Sequence, residues 1–362
     1  MSIKFQPQLF AGIAACAIIG ILASMLTNQF EWLARSGFGL LTVSIILGMA
    51  VGNLSVLKRS IEDFSPGLQF SKQKILRLGI ILYGFRLTFQ DISDVGLTGA
   101  IIDLAVFIST FSLAVLIGIR YFKLDRDLVV LIGAGSAICG AAAIIATEPV
   151  VKASNQKVAV AISTVVIFGT ISIFAYPILY HICQVYIFDP KFSLQFGVYI
   201  GSTVHEVAQV LAAAKSVGGD VADTAVITKM IRVMMLAPFL VALSIYLNFI
   251  FRTLPKKELA NSNLKLTKTN IFSAAIPWFV VFFILVIGLN SLNLVSNSWV
   301  QNLVSLDNFL LATAMAGLGL TTRFSAIRAA GVKPLLLAMT LFFWLVVGGG
   351  VINILATKIL QY

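Results

Sequence analysis

Runs of about 20 apolar residues, long enough to cross a bilayer as a helix, recur along the whole chain. In hydrocarbon every backbone N–H and C=O must be paired within the protein, so such runs fold as helices packed on one another. The expected class is an all-α polytopic membrane protein of about 9–11 transmembrane segments. Helices are expected at 9–27, 37–57, 75–89, 97–119, 158–182, 224–251, 271–290, 303–320 and 334–357, with two special segments at 128–147 and 194–215. Only 11% of residues are charged, against about 25% in soluble domains. No soluble domain fits between the runs, and residues 1–362 read as one integral membrane domain. The longest polar stretch, 252–270, is a loop. The first run, Leu9 to Leu26, has no clear cleavage site and reads as a helix rather than a signal peptide.

The net charge of +11 does not mark a nucleic-acid binder, because the basic residues sit in short loops where membrane orientation explains them. The loops Lys58 to Lys74, Arg120 to Arg126, 252–270 and Arg323 to Lys333 are basic and belong in the cytoplasm. The loop 90–97, with Asp91 and Asp94, and the uncharged 291–302 belong outside, as does the acidic loop with Asp220 and Asp223. This places the N-terminus in the cytoplasm and the C-terminus in the periplasm. Cys16, Cys139 and Cys183 lie in or beside apolar segments, which fits neither a disulfide framework nor a metal cluster.

Two stretches repeat each other. Gly135-Ser136-Ala137-Ile138-Cys139-Gly140 opens a block that aligns, 66 residues on and without a gap, with Gly201-Ser202-Thr203-Val204-His205-Glu206. Motif repeats of about 128–182 and 194–251 follow from this offset. Glycine-interrupted apolar segments at matching places in two repeats point to a transporter binding site. If both segments are re-entrant, Lys152 and Lys157 fall inside and the repeats are inverted; if both cross fully, those lysines fall outside. The re-entrant or deeply broken form is the favoured one, since irregular backbone is tolerated where it lines a cavity. A fainter match relates Gly79–Gly96 to Ala316–Gly331, each a glycine-spotted helix ending in Arg.

His205 and Glu206 are ionisable residues in mid-segment, and such residues are functional candidates by default. Both are candidates for carrying a coupling proton. Lys229 and Arg232, three apart on one helical face, are expected as the positive wall of an anion site or as partners of Glu206. Breaks at Gly135-Ser136 and Gly201-Ser202 would expose half-helix N-termini, which favour an anion, with Ser136, Ser202 and Thr203 adding hydroxyls and Cys139 and Gly140 completing the first break. Arg86 and Arg323 read as interface anchors, Asp103 as a residue near a helix start within reach of the surface, and Glu148 as a cap. His205-Glu206 begins like a zinc-protease motif, but the second histidine is replaced by Gln209. No phosphate-binding loop occurs, so neither an enzyme nor an ATP-driven pump is expected, and no cofactor or metal is implied.

The blocks GAGSAICGAAAIIATEPVV, YIGSTVHEVAQVLAAA, TKMIRVMMLAP and LGIILYGFRLTF together resemble the YeiH-type family of bacterial inner-membrane proteins labelled sulfate exporters. The resemblance covers nearly the whole chain. It implies export of sulfate or a related small anion. It also implies likeness to transporters with inverted repeats and broken helices, whose core moves against a scaffold and which are often homodimers. The expected function is secondary active transport of a small inorganic or organic anion by alternating access, with possible proton coupling. An anion channel and a sodium-coupled organic-anion carrier are the alternatives.

Overall fold

A computed structural model describes residues 7–30, 39–54, 58–186, 192–253, 278–322 and 331–360. The described chain is helical. In order the helices are α1 (Pro7–Gln29), α2 (Leu40–Gly52), α3 (Lys58–Asp63), α4 (Ser65–Phe70), α5 (Leu76–Tyr83), α6 (Phe89–Val115), α7 (Arg126–Ala134), α8 (Ala141–Val151) and α9 (Asn155–Tyr186). They continue as α10 (Phe192–Thr203), α11 (Val207–Val217), α12 (Gly219–Met234), α13 (Leu236–Thr253), α14 (Trp278–Ser291), α15 (Asn297–Thr321), α16 (Val332–Phe343) and α17 (Gly349–Leu360). Among the described residues, six helical stretches are long and apolar enough to cross a membrane. The molecule is an all-α polytopic membrane protein.

Several loops expected from their charge are helical. The basic stretch after Lys58 forms α3 and α4 and runs through a π turn, Ser71–Ile75, into α5. Gly67 of α4 lies against Gly12 of α1 so closely that an added Cβ would sit 2.6 Å from the Gly12 Cα. The acidic stretch 90–97 belongs to α6. Thr88 and Asp91 form a capping box at its start, with the Thr88 N–H donating to Asp91 Oδ2 at 2.7 Å. This satisfies free N–H groups of the first turn of a short segment, and α6 then kinks at Gly96 (φ 51°, ψ −154°), after which its long apolar part starts at the expected position 97. Asp220 and Asp223 likewise lie in the first turns of α12. The helix expected over 224–251 breaks at Met235, ahead of Pro238. The 252–270 loop beyond Thr253, and Arg323 and Arg328, lie outside the described residues, which leaves the fainter repeat only partly in view.

The helices form two groups. α1 to α5 pack with α14 and α15, while α6 to α13 pack with α16 and α17. An apolar layer joins them, with Leu41, Ile45 and Ile80 from the first group in one core cluster with Leu211, Ala212 and Val226 from the second. Polar contacts also cross, among them Thr42 Oγ1 to Ser216 Oγ at 2.7 Å, Lys215 Nζ to Asn308 Oδ1 at 3.1 Å, Tyr83 Oη to Asp223 Oδ1 at 2.6 Å and the Phe89 N–H to Ser291 Oγ at 2.8 Å.

Candidate functional site

The two repeated segments are helical hairpins. Lys157, in the first turn of α9, bonds to Asp125 and Asp127 at the start of α7, each at 3.1 Å. The segment 126–151 therefore leaves from the end at which it entered. Its arms close on one another, since an added Cβ at Gly135 would sit 2.8 Å from Ile144 and 2.9 Å from Val165. The segment 192–217 behaves alike at the opposite end of α9. There Gly197 packs on Val221 and Thr224, and Gly201 on Ala225 and Thr228. These pairs advance together, so α12 runs parallel to α10. The intervening α11 has returned to where α10 began. The boundaries match the sequence offset: α7, α8 and the end of α8 at 126, 141 and 151 recur at 192, 207 and 217, in α10 and α11.

The hairpins come from opposite ends of α9 and meet at their tips. In the first, a π turn, Gly135–Cys139, ends at Gly140, whose φ of 71° and ψ of −135° suit glycine alone. A Cβ there would also strike Glu206 Cγ at 2.3 Å. In the second, Glu206 is the N-cap of α11: its carboxylate accepts from the Gln209 N–H, and Gln209 Oε1 accepts the Glu206 N–H at 3.1 Å. Glu206 Oε1 also accepts the Ala141 N–H at 3.1 Å. One half-exposed carboxylate thus occupies the start of both returning half-helices, where the helix dipoles favour negative charge. The anion position expected there is held in this structure by the protein's own side chain.

Lys229 and Arg232 of α12 serve the other ends of the same breaks. Both are fully buried. Lys229 Nζ donates to the carbonyls of Ile138 (2.8 Å) and Val204 (2.7 Å). Arg232 donates to Ser136, Ser202 and Ala137 carbonyls. Ile138 and Val204 are repeat equivalents, as are Ser136 and Ser202. Each cation therefore bridges the same position in both hairpins. The carbonyls that end a half-helix have no partner within it, and two such negative ends meeting inside a membrane need a cation between them. Among the described residues neither cation forms an ion pair with Glu206. Lys229 keeps one ammonium N–H and Arg232 two guanidinium N–H groups beyond these bonds.

The remaining candidates divide. Gly135 and Gly201 provide close helix packing. Thr203 is engaged, donating to the Tyr199 carbonyl and accepting from Tyr176 Oη at 2.8 Å. Ser202 Oγ donates to the Tyr199 carbonyl at 3.2 Å and accepts from Asn353 Nδ2 of α17 at 3.1 Å. Cys139 is buried in the first tip. Ser136 Oγ and His205 Nδ1 are buried without a hydrogen-bond partner. So are the Asn353 Oδ1, the Gln209 Nε2 and both oxygens of Asp103. Buried polar atoms are nearly always paired, so unpartnered atoms around one break mark a place for a ligand or water.

Three sequence readings are corrected. Asp103 is not within reach of the surface: it lies near a helix start, seven residues past the kink that breaks α6 at Gly96, but is fully buried. Arg86 is not an interface anchor, because its guanidinium binds Asp307 Oδ2 of α15 at 2.9 Å and Asn308 Oδ1 at 2.9 Å. Glu148 does not end the segment: Pro149 lies inside α8, which closes at Lys152 in the left-handed conformation. Asn353 went unread because a lone asparagine in an apolar helix carries no spacing signal. Asp103 had a signal, an acid within an apolar run, but its burial depends on the helices packed around α6.

The chain matches the family model described as Conserved hypothetical protein 698 over residues 11–338. It is 52% identical to a UPF0324 membrane protein of Yersinia pestis over 361 residues, covering 98% of this chain and 96% of the relative. It is 52% identical to one from Pseudomonas aeruginosa over 344 residues, covering 95% and 93%. It is 51% identical to the UPF0324 inner membrane protein YeiH of Escherichia coli K12 over 342 residues, covering 94% and 93%. Those names give a membrane location and no substrate. No solved structure matches the chain.

Proposed function

The chain belongs to the Conserved hypothetical protein 698 (UPF0324) family of membrane proteins, and we propose that it is a secondary active transporter of a small anion, with sulfate or a related sulfur-containing anion as the substrate class. The observation that carries this reading is the meeting of two re-entrant hairpins, tip to tip, over buried Lys229 and Arg232 with unpartnered polar atoms around them. Broken helices at mid-membrane are how secondary transporters present backbone and dipole to a substrate. Lys229 and Arg232 retain free N–H groups for an anion, and Ser136 and His205 supply further unpaired polar atoms.

The hairpins read as inverted repeats: their boundaries share one offset, and their tips point at each other from opposite ends. Such a pair lets the site open to either end in turn. The second helix group moves against the first across their apolar layer, where sliding leaves few polar groups unpaired. By the distribution of basic residues, the end holding Arg120, Lys123 and Lys157 faces the cytoplasm, the N-terminus is cytoplasmic and the C-terminus periplasmic. Assembly as a homodimer and coupling to protons belong to the same reading.

The test is sulfate counterflow in liposomes holding the purified protein. A carrier gives saturable uptake of labelled sulfate against an internal unlabelled pool. Steady anion current without exchange would instead identify a channel. Arg232→Ala is expected to abolish both binding and counterflow.

A further inference from the structure

Asp103 has no part in the contacts that build the hairpin tips. It is fully buried in α6, and neither carboxylate oxygen has a hydrogen-bond partner. α6 packs on the π turn of the first tip and on α7, α10, α12, α14, α16 and α17. From these elements, the groups acting on Asp103 electrostatically are Lys229 and Arg232. Cys139 and Tyr199 also lie on these elements, while Arg126, Asp127, Asp220, Asp223, Lys333 and Lys358 sit towards element ends. An ionised carboxylate without donors is costly inside a membrane protein, and only the two cations offset that cost.

Glu206 is in the opposite position. It accepts from the Ala141 and Gln209 N–H groups at two helix starts. With Lys229, Arg232, Asp103 and Glu206 all ionised the buried charges cancel. A sulfate dianion entering this site leaves it two charges negative, and one proton taken up there halves that excess. On His205 that proton would add a third positive charge within reach of Lys229 and Arg232. On Glu206 it would forfeit two donors. On Asp103 it forfeits none.

We propose that Asp103 carries the proton that travels with the anion. It is ionised when the site is empty, where it answers the charge of Lys229 and Arg232. It takes a proton from the water on the open side when the anion binds, and returns it when the anion leaves. The inference rests on the transporter reading above and assigns its coupling residue, in place of His205 or Glu206.

The experiment uses the full-length protein with sulfate as probe. For wild type, calorimetry in two buffers of different ionisation enthalpy should show about one proton taken up per sulfate bound. Affinity should weaken by up to about tenfold per pH unit, the limit for one linked proton. Asp103→Asn, which fixes the neutral form, should bind sulfate with no pH slope and keep counterflow. It should lose accumulation driven by an acid-outside gradient. A wild-type pH slope retained in Asp103→Asn overturns the assignment, as does a slope lost only in Glu206→Gln. Should Asp103→Asn fail to fold, the wild-type calorimetry decides, and absence of proton uptake refutes the idea. If the folded wild-type protein binds no sulfate at any pH, the sulfate reading itself falls, an outcome distinct from pH-independent binding.

Discussion

Lys229 is a scaffold residue in the structure and, in the transport reading proposed above, part of the site as well. Its ammonium holds the Ile138 and Val204 carbonyls, which end two half-helices. Hydrogen bonds to a charged group contribute about 1.5–3 kcal/mol each. Lys229→Met removes two of them and leaves both carbonyls unpaired. The purified variant should lose Tm even without any anion present. A Lys229→Met protein with wild-type Tm but no anion stabilisation would mean that the lysine serves the substrate alone. Arg232→Lys should also fail to rescue wild-type stability, because a lysine cannot reproduce a planar fork shared among Ser136, Ala137 and Ser202. The three-residue spacing made it legible that these two cations share a face. Which atoms they bind was not legible, because their partners are backbone carbonyls, and a carbonyl leaves no mark in a sequence.

At the scale of elements, the tip of the first hairpin depends on Gly140. A side chain there meets both a positive φ and the Glu206 side chain. A sparsely populated backbone conformation of this kind costs an L-residue about 1–3 kcal/mol, and the clash adds to it by pushing Glu206 off the Ala141 N–H. Gly140→Ala should fold with reduced Tm and lose counterflow, while Gly219→Ala, at a position with open space around it, should change neither. Equal behaviour of the two variants would show that the tip contact is dispensable. The hairpins themselves were readable, since a repeat with glycines at fixed offset survives in composition. Short polar helical segments were read less well. Gln90, Asp91 and Asp94 resemble a loop, whereas Thr88 and Asp91 cap a short helical segment that precedes the Gly96 kink and the apolar helix expected from 97. Asp103, seven residues past that kink, is buried because other helices pack over α6, and coverage by distant elements leaves no mark in the local sequence.

For the whole molecule, the decisive question is whether the hairpin group slides on the other. Three polar contacts tie the groups where the second hairpin ends, at Thr42–Ser216, Lys215–Asn308 and Tyr83–Asp223. Nothing in the sequence linked these pairs, which lie 174, 93 and 140 residues apart. The hydroxyls of Thr42 and Ser216 lie 2.7 Å apart in the buried seam between α2 and α11. That places their Cβ atoms close to the separation of about 3.5–4.5 Å that a disulfide requires. With Cys16, Cys139 and Cys183 replaced by serine or alanine, Thr42→Cys with Ser216→Cys should oxidise readily and stop counterflow, and reduction should restore it. Sulfate binding should persist in the oxidised protein, since both residues lie away from the tips. Full counterflow through a quantitatively cross-linked protein would show that α11 does not move against α2. Alternating access would then have to arise within the hairpin group, by opening of the tips, instead of by relative motion of the two helix groups.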